Sequence, residues 1–215
     1  MGTPSLEHLS KEDWENVYEP SDDTFIFLDA LEKEQQYLLL KNPKIVLEIG
    51  SGSGCIISFV AKMLGPSRMY IATDINIRAA QATSRTAQQN KVNIHVIRTN
   101  FADAIHSKLR GHIELAVFNP PYVPTEADEL GKTDIMASWA GGLDGREVID
   151  QFIPVISDLM AEGGCFYIHL IAENKPKQVI KLMEQHHFKS EGLILKRRAA
   201  NELLHIYKFI KLKTQ

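Results

Sequence analysis

Val46-Leu47-Glu48-Ile49-Gly50-Ser51-Gly52-Ser53-Gly54 passes from an aliphatic run into three glycines at alternate positions. The pattern predicts a buried strand, a tight turn and a helix start, because glycine alone adopts the turn conformation without strain. The strand is read as residues 44–49 and the helix as residues 54–64. Outward from there, short β-branched runs alternate with helical periods. Strands are expected at 68–73, 92–98, 113–118 and 165–171, with helices at 76–89, 144–160 and 175–187. Two late strands, near 192–196 and 203–211, are joined by the short connection from Arg197 to Glu202, which makes them antiparallel neighbours. Upstream, Ser21 is placed to cap a helix carrying Phe25, Leu28 and Leu31 on one face. Strand–helix alternation of this kind predicts an α/β fold: a doubly wound, mostly parallel seven-stranded sheet with the last strand antiparallel.

Composition narrows the function. The 215 residues carry 24 Lys and Arg against 27 Asp and Glu, a net charge of −3. Binding to nucleic acid mainly through phosphate contacts is therefore not expected. Cys55 and Cys165 form no CxxC pair, so neither a structural zinc site nor a disulfide framework is predicted, and no metal is expected. Both cysteines fall in elements read as buried. The usage suits a reducing compartment. No apolar run has the length of a membrane helix, and residues 1–19 lack an apolar signal core. These features point to a cytoplasmic protein with the nucleus also open. Residues 1–215 read as a single domain, with residues 1–20 either flexible or covering the ligand site. His186 and His187 are adjacent on a helix and read as surface, and Lys196-Arg197-Arg198 reads as a solvated turn.

Chemistry-bearing residues gather at strand ends. The glycine pattern is GxGxG rather than GxGxxG, and Glu48 stands just before it. A carboxylate there would repel a pyrophosphate but suits a cationic ligand such as the sulfonium of S-adenosylmethionine. Asp74 follows Gly50 by 24 residues, near the spacing of a carboxylate that binds ribose hydroxyls; it could also be the N-cap of the next helix. Asn100 and Phe101 close the third strand, where an adenine edge and ring could be met. The fourth strand runs into Phe118-Asn119-Pro120-Pro121-Tyr122. Pro120 and Pro121 stiffen this loop and bring no N–H donors. The side-chain oxygen of Asn119 and the carbonyl of Pro120 can face one NH₂ group as two acceptors, beside the aromatic face of Tyr122. Such a receptor fits an amide or an exocyclic base amine.

Taken together, Glu48 to Gly54, Asp74 and Asn119-Pro120-Pro121-Tyr122 resemble the class I S-adenosylmethionine-dependent methyltransferases with an NPPY motif, whose sheet is of the Rossmann-like type. Three further stretches narrow the resemblance: Val17-Tyr18-Glu19-Pro20-Ser21-Asp22-Asp23-Thr24, Trp139-Ala140-Gly141-Gly142-Leu143-Asp144-Gly145, and Arg146-Glu147-Val148. With them the chain resembles the HemK-type glutamine methyltransferases of translation release factors, in their eukaryotic and archaeal branch, from about residue 17 onward. Only 47 residues precede Glu48, too few for the helical substrate domain of the bacterial relatives. Asn100 stands where the family usually has Asp.

The resemblance implies that Thr24, Glu48, Gly50, Gly52, Asp74, Asn100, Phe101 and Asn119 contact S-adenosylmethionine, which leaves as S-adenosylhomocysteine. It implies that Asn119, Pro120, Pro121 and Tyr122 hold the substrate. Asn119 takes the main catalytic role, Pro120 a backbone role and Tyr122 a stacking or packing role. The implied reaction is N5-methylation of the glutamine in the Gly-Gly-Gln tripeptide of a class 1 release factor. N6-methylation of adenine in DNA or RNA, and methylation of protein lysines such as those of histones, stand as alternatives. The resemblance also implies a heterodimer with a small zinc-binding activator protein. The third strand, expected at a sheet edge, carries Val92, Ile94 and Val96 with little charge to protect it.

Overall fold

The computed structural model describes residues 2–126, 131, 133–199 and 202–213. Its centre is β1 (Ile45–Ile49), followed by α4 (Cys55–Leu64), with α1 (Lys11–Trp14), α2 (Asp22–Lys33) and α3 (Gln35–Lys41) upstream. Then come β2 (Met69–Asp74), α5 (Ile77–Gln89), β3 (His95–Arg98), α6 (His106–Leu109) and β4 (Ile113–Phe118). α7 (Glu147–Leu159), β5 (Met160–Leu170), α8 (Pro176–Gln185), β6 (Phe188–Ala199) and β7 (Glu202–Lys211) complete the chain. Among the described residues the strands form one seven-stranded sheet in the order β3-β2-β1-β4-β5-β7-β6. β1 to β5 pair in parallel, and β7 is antiparallel to both β5 and β6.

Both faces of the sheet are covered, so the central strands carry buried apolar residues toward both faces rather than alternating apolar with polar. Along β4, Leu115 and Val117 pack with α2 and α4 through Phe27 and Phe59. Ala116 and Phe118 face the other way, toward Phe152 and Ile156 of α7. The chain adds β2 and β3 on one side of β1 and then returns to place β4 on the other. That reversal opens a crevice beyond the carboxyl ends of β1 and β4, the place where open α/β sheets bind ligands.

Several local expectations need correction. Phe25 is 39% exposed, because the buried stripe of α2 is centred on Phe27 and Leu31, across the helix from it. Ser21 is the N-cap of α2, yet its side chain makes no capping hydrogen bond. The third strand spans only His95–Arg98. Lys91 and Val92 donate instead to Gln88 and Ala87, closing the end of α5 before the strand can begin. Lys196, Arg197 and Arg198 lie within β6, not in a turn, and Arg197 pairs with Asp29 of α2. Residues 200–201 of the β6–β7 connection lie outside the described residues. β5 begins five residues earlier than expected, at Met160.

Candidate active site

The turn after β1 is built by its glycines. Gly50, Gly52 and Gly54 all have positive φ. A Cβ on Gly54 would stand 2.8 Å from the Cα of Thr83, so that glycine also lets α4 and α5 approach. The Gly52 N–H donates to Asp74 Oδ2 at 2.9 Å, and the Asn76 N–H donates to Asp74 Oδ1 at 2.8 Å. The N-cap of α5 is Asn76, whose side chain accepts from the Arg78 N–H; Asp74 is therefore not the cap, and it faces the crevice instead. Glu48 Oε2 accepts from the Ile57 N–H at 2.9 Å. Burial holds the Glu48 carboxyl well above its ordinary value and raises that of Asp74, against the backbone N–H bonds that lower it. Two buried carboxyls with spare lone pairs, and no cation beside them among the described residues, favour a ligand that brings positive charge and hydroxyl donors.

One cavity gathers nearly every residue singled out in the sequence. Thr24, Glu48, Gly50, Gly52 and Asp74 line it from α2, β1, the glycine turn and β2. Asn100, Phe101, Asn119 and Pro121 line it from the loops after β3 and β4. Residues before α2 take part as well: Asn16, Val17, Tyr18 and Pro20 complete the wall, and Asn76 donates to the Asn16 carbonyl at 2.8 Å. Two expected residues stand apart. Pro120 is buried, and Tyr122 lines a second cavity shared with Tyr18, Asp23 and Glu202. The Tyr122 ring packs edge-on against His169, with centroids 4.5 Å apart. Its role in this arrangement is packing rather than an open stacking platform. Phe101 tilts against Phe152, with centroids 5.2 Å apart.

Asn119 is the focus of the site. Its Nδ2 donates to Asp23 Oδ2 at 2.8 Å. Its Oδ1 is buried and accepts from nothing among the described residues. A buried acceptor without a donor costs free energy, so this oxygen is prepared for a donor that arrives with a ligand.

The loop from Trp139 to Gly145 locks the motif from outside. The Val123 N–H donates to the Trp139 carbonyl, and the Gly141 N–H donates to the Val123 carbonyl. Fully buried Asn174 donates from Nδ2 to the carbonyls of Tyr122, Asp144 and Gly145 at 2.9, 3.0 and 3.1 Å. Asn174 and His169 drew no attention in the sequence, since neither lies in a motif. Among the described residues both ring nitrogens of His169 lack partners, and burial pushes its pKa down to about 4, which leaves the ring neutral at pH 7.

Residues 22–140 match the Methyltransferase small domain family. The chain is 43% identical to methyltransferase HEMK2 of Homo sapiens over 215 residues, covering 98% of this chain and 97% of that one. The chain belongs to the HemK-type methyltransferases. A second HemK-type relative is the eRF1 methyltransferase catalytic subunit mtq2 of Schizosaccharomyces pombe, 32% identical over 99% of this chain and 96% of that one. Among solved structures, the E. cuniculi Mtq2–Trm112 complex, responsible for the methylation of the eRF1 translation termination factor, matches with a TM-score of 0.68. It is 30% identical and covers 91% of this chain and 98% of that one. A ribosomal protein L11 methylase, 18% identical with a TM-score of 0.61, covers 92% of this chain and 82% of that one and shares the fold. The HemK-type assignment explains why the glycine turn, Asp74 and the NPPY loop open on one cavity.

Proposed function

We propose that this methyltransferase uses S-adenosylmethionine to methylate the side-chain nitrogen of the glutamine in the Gly-Gly-Gln tripeptide of a class 1 release factor. The observation that carries the reading is the buried, unpartnered Oδ1 of Asn119 at the end of β4. The names borne by the relatives support the same substrate class. Glu48, Asp74 and the glycine turn fit the cofactor, because two uncompensated carboxyls suit a ligand with an ammonium, a sulfonium and ribose hydroxyls. Asn100, in the loop after β3, offers a donor and an acceptor to the adenine edge, and Thr24 lines the wall beside Asn119. When bound, S-adenosylmethionine supplies an electrophilic methyl group and leaves as S-adenosylhomocysteine.

The chain's own residues prepare the nucleophile. An amide nitrogen is a poor nucleophile because its lone pair is delocalised. Asn119 Oδ1 accepts from an N–H group of the incoming amide, favouring a pyramidal nitrogen with its lone pair free for transfer. The same acceptor fixes that nitrogen in place, a positioning effect. The nitrogen then loses one proton to solvent.

Incubation with labelled cofactor and either release factor, histone or duplex oligonucleotide separates the substrate classes. Label on the release factor is expected. Robust transfer to DNA with none to the release factor overturns the assignment. Asp74→Ala should raise the cofactor dissociation constant by at least about tenfold, the scale of a lost charge-assisted hydrogen bond, in a calorimetric titration. It should change turnover at saturating cofactor much less.

We also propose a heterodimer with a small zinc-binding activator protein through β3; that a similar chain is solved in a complex with a second protein supports a partner. β3 is an edge strand with His95 and Arg98 exposed and Val96 half buried; just before it Asn93 is exposed and Val92 and Ile94 are half buried. A partner strand added there would pair the open backbone and cover that apolar surface. Co-expression should give a one-to-one complex on size-exclusion chromatography, and Ile94→Lys should weaken it. A soluble, fully active monomer that gains nothing from the activator contradicts this proposal.

A further inference from the structure

The stretch from Tyr18 to Thr24 was conspicuous in the sequence, yet the methyl-transfer chemistry leaves Tyr18 and Asp23 without a task. We propose that Asp23 is a positioning residue that sets the polarity of the reaction site by locking the Asn119 amide with its oxygen toward the substrate. The inference rests on the amide-nitrogen transfer proposed above and adds a residue that controls it.

Asp23 is 4% exposed, at the start of α2 and between the two cavities. Its Oδ1 accepts from the Tyr18 hydroxyl at 2.9 Å and from the Thr24 N–H at 2.8 Å. Its Oδ2 accepts from Asn119 Nδ2 at 2.8 Å. A carboxylate can only accept, so the Asn119 group facing it must be the NH₂. The amide oxygen is thereby forced to the opposite side, where it stands buried and free. Without Asp23 nothing in this geometry distinguishes the two amide orientations. The flipped orientation would present an NH₂ to the NH₂ of the substrate, two donors facing each other. The carboxylate also polarises the Asn119 amide, which strengthens its oxygen as an acceptor. The Tyr18 hydroxyl and the α2 backbone hold the carboxylate itself, so the device spans 96 residues of sequence between Asp23 and Asn119.

A polarity swap tests this. Asp23→Asn keeps the shape but places either an NH₂ against Asn119 or, if rotated, an NH₂ against the Thr24 N–H. In the first arrangement Asn119 turns over and loses its substrate-facing acceptor. Turnover of the release factor should fall about thirtyfold or more, approaching the scale of a lost transition-state hydrogen bond. The cofactor dissociation constant should change by less than about threefold, since the change falls on the nucleophile side. Adding Asn119→Asp to Asp23→Asn restores the pairing: the new amide donates to the new carboxylate, whose second oxygen accepts from the substrate. The double variant should exceed Asp23→Asn in turnover by about tenfold or more, a coupling of opposite sign to additive damage. A double variant no better than Asp23→Asn overturns the proposal, because a merely structural aspartate gives no rescue.

A second readout does not depend on substrate. The Asn119 side-chain NH₂ signals, identified by their loss in Asn119→Asp, should exchange with solvent at least about tenfold faster in Asp23→Asn. Unchanged exchange also overturns the positioning role. Wild-type protein that leaves the release factor unmethylated would sink the substrate reading, while the exchange measurement still decides the role of Asp23.

Discussion

Asn119→Ala should lower methyl transfer by about a hundredfold or more, equivalent to about 2.7 kcal/mol of barrier, while the fold and most cofactor affinity survive. The substitution removes a buried acceptor in the cavity that awaits a donor, and the amide that Asp23 holds. It leaves Glu48, Asp74 and the glycine turn untouched. Asp23 keeps its bonds from Tyr18 and Thr24, so the start of α2 stays in place. Single-turnover kinetics at saturating cofactor, beside a binding titration, read the two effects separately. Near-normal turnover would remove Asn119 from the chemistry.

Gly145→Ala should damage the site from outside it. Gly145 has a φ of +63°, and a Cβ there would stand 1.9 Å from the Tyr122 carbonyl oxygen and 2.7 Å from Asn174 Nδ2. The loop must retreat, and with it go the bonds from Asn174 that tie the NPPY backbone to the Gly141–Gly145 segment. Left-handed backbone strain costs about 1 kcal/mol, and each buried carbonyl left unpaired costs about 1–3 kcal/mol. A loss of about 3 kcal/mol or more is expected, near 10 °C in Tm for a chain of this size. Gly111→Ala is the control. It has a similar φ of +72° and nothing within 4 Å, so it should lose only about the strain. Equal thermal shifts in the two variants would show that the contact with Tyr122 and Asn174 carries no weight.

What the sequence disclosed was local or periodic. β4 was legible to its last residue, since a short, largely apolar run bounded by His112 and Asn119 reads as a buried strand when both faces are covered. The glycine turn, Asp74 and Asn119 were legible because their place at strand ends is fixed by the order of elements. β3 was read too long because Val92 and Ile94 share strand chemistry, and only the closing bonds of α5 show where the helix stops. Phe25 was misplaced because the centre of a buried helical stripe depends on the neighbour it packs against. The role of Asp23 was illegible for another reason. Its partner Asn119 lies 96 residues away, and no spacing rule encodes that meeting. The same holds for Asn174 and His169, whose partners are the backbone and ring of Tyr122. Each is an isolated polar residue in sequence and acquires meaning only when β5 and the segment after it pack beneath the NPPY loop.

The most direct measurement is mass spectrometry of the release-factor peptide bearing Gly-Gly-Gln after incubation with the enzyme and S-adenosylmethionine, with fragmentation to locate the added mass. One methyl group on the glutamine side chain, with wild-type protein and at least about a hundredfold less with Asn119→Ala, is the predicted result. An unmodified glutamine, or equal modification by both proteins, would contradict it.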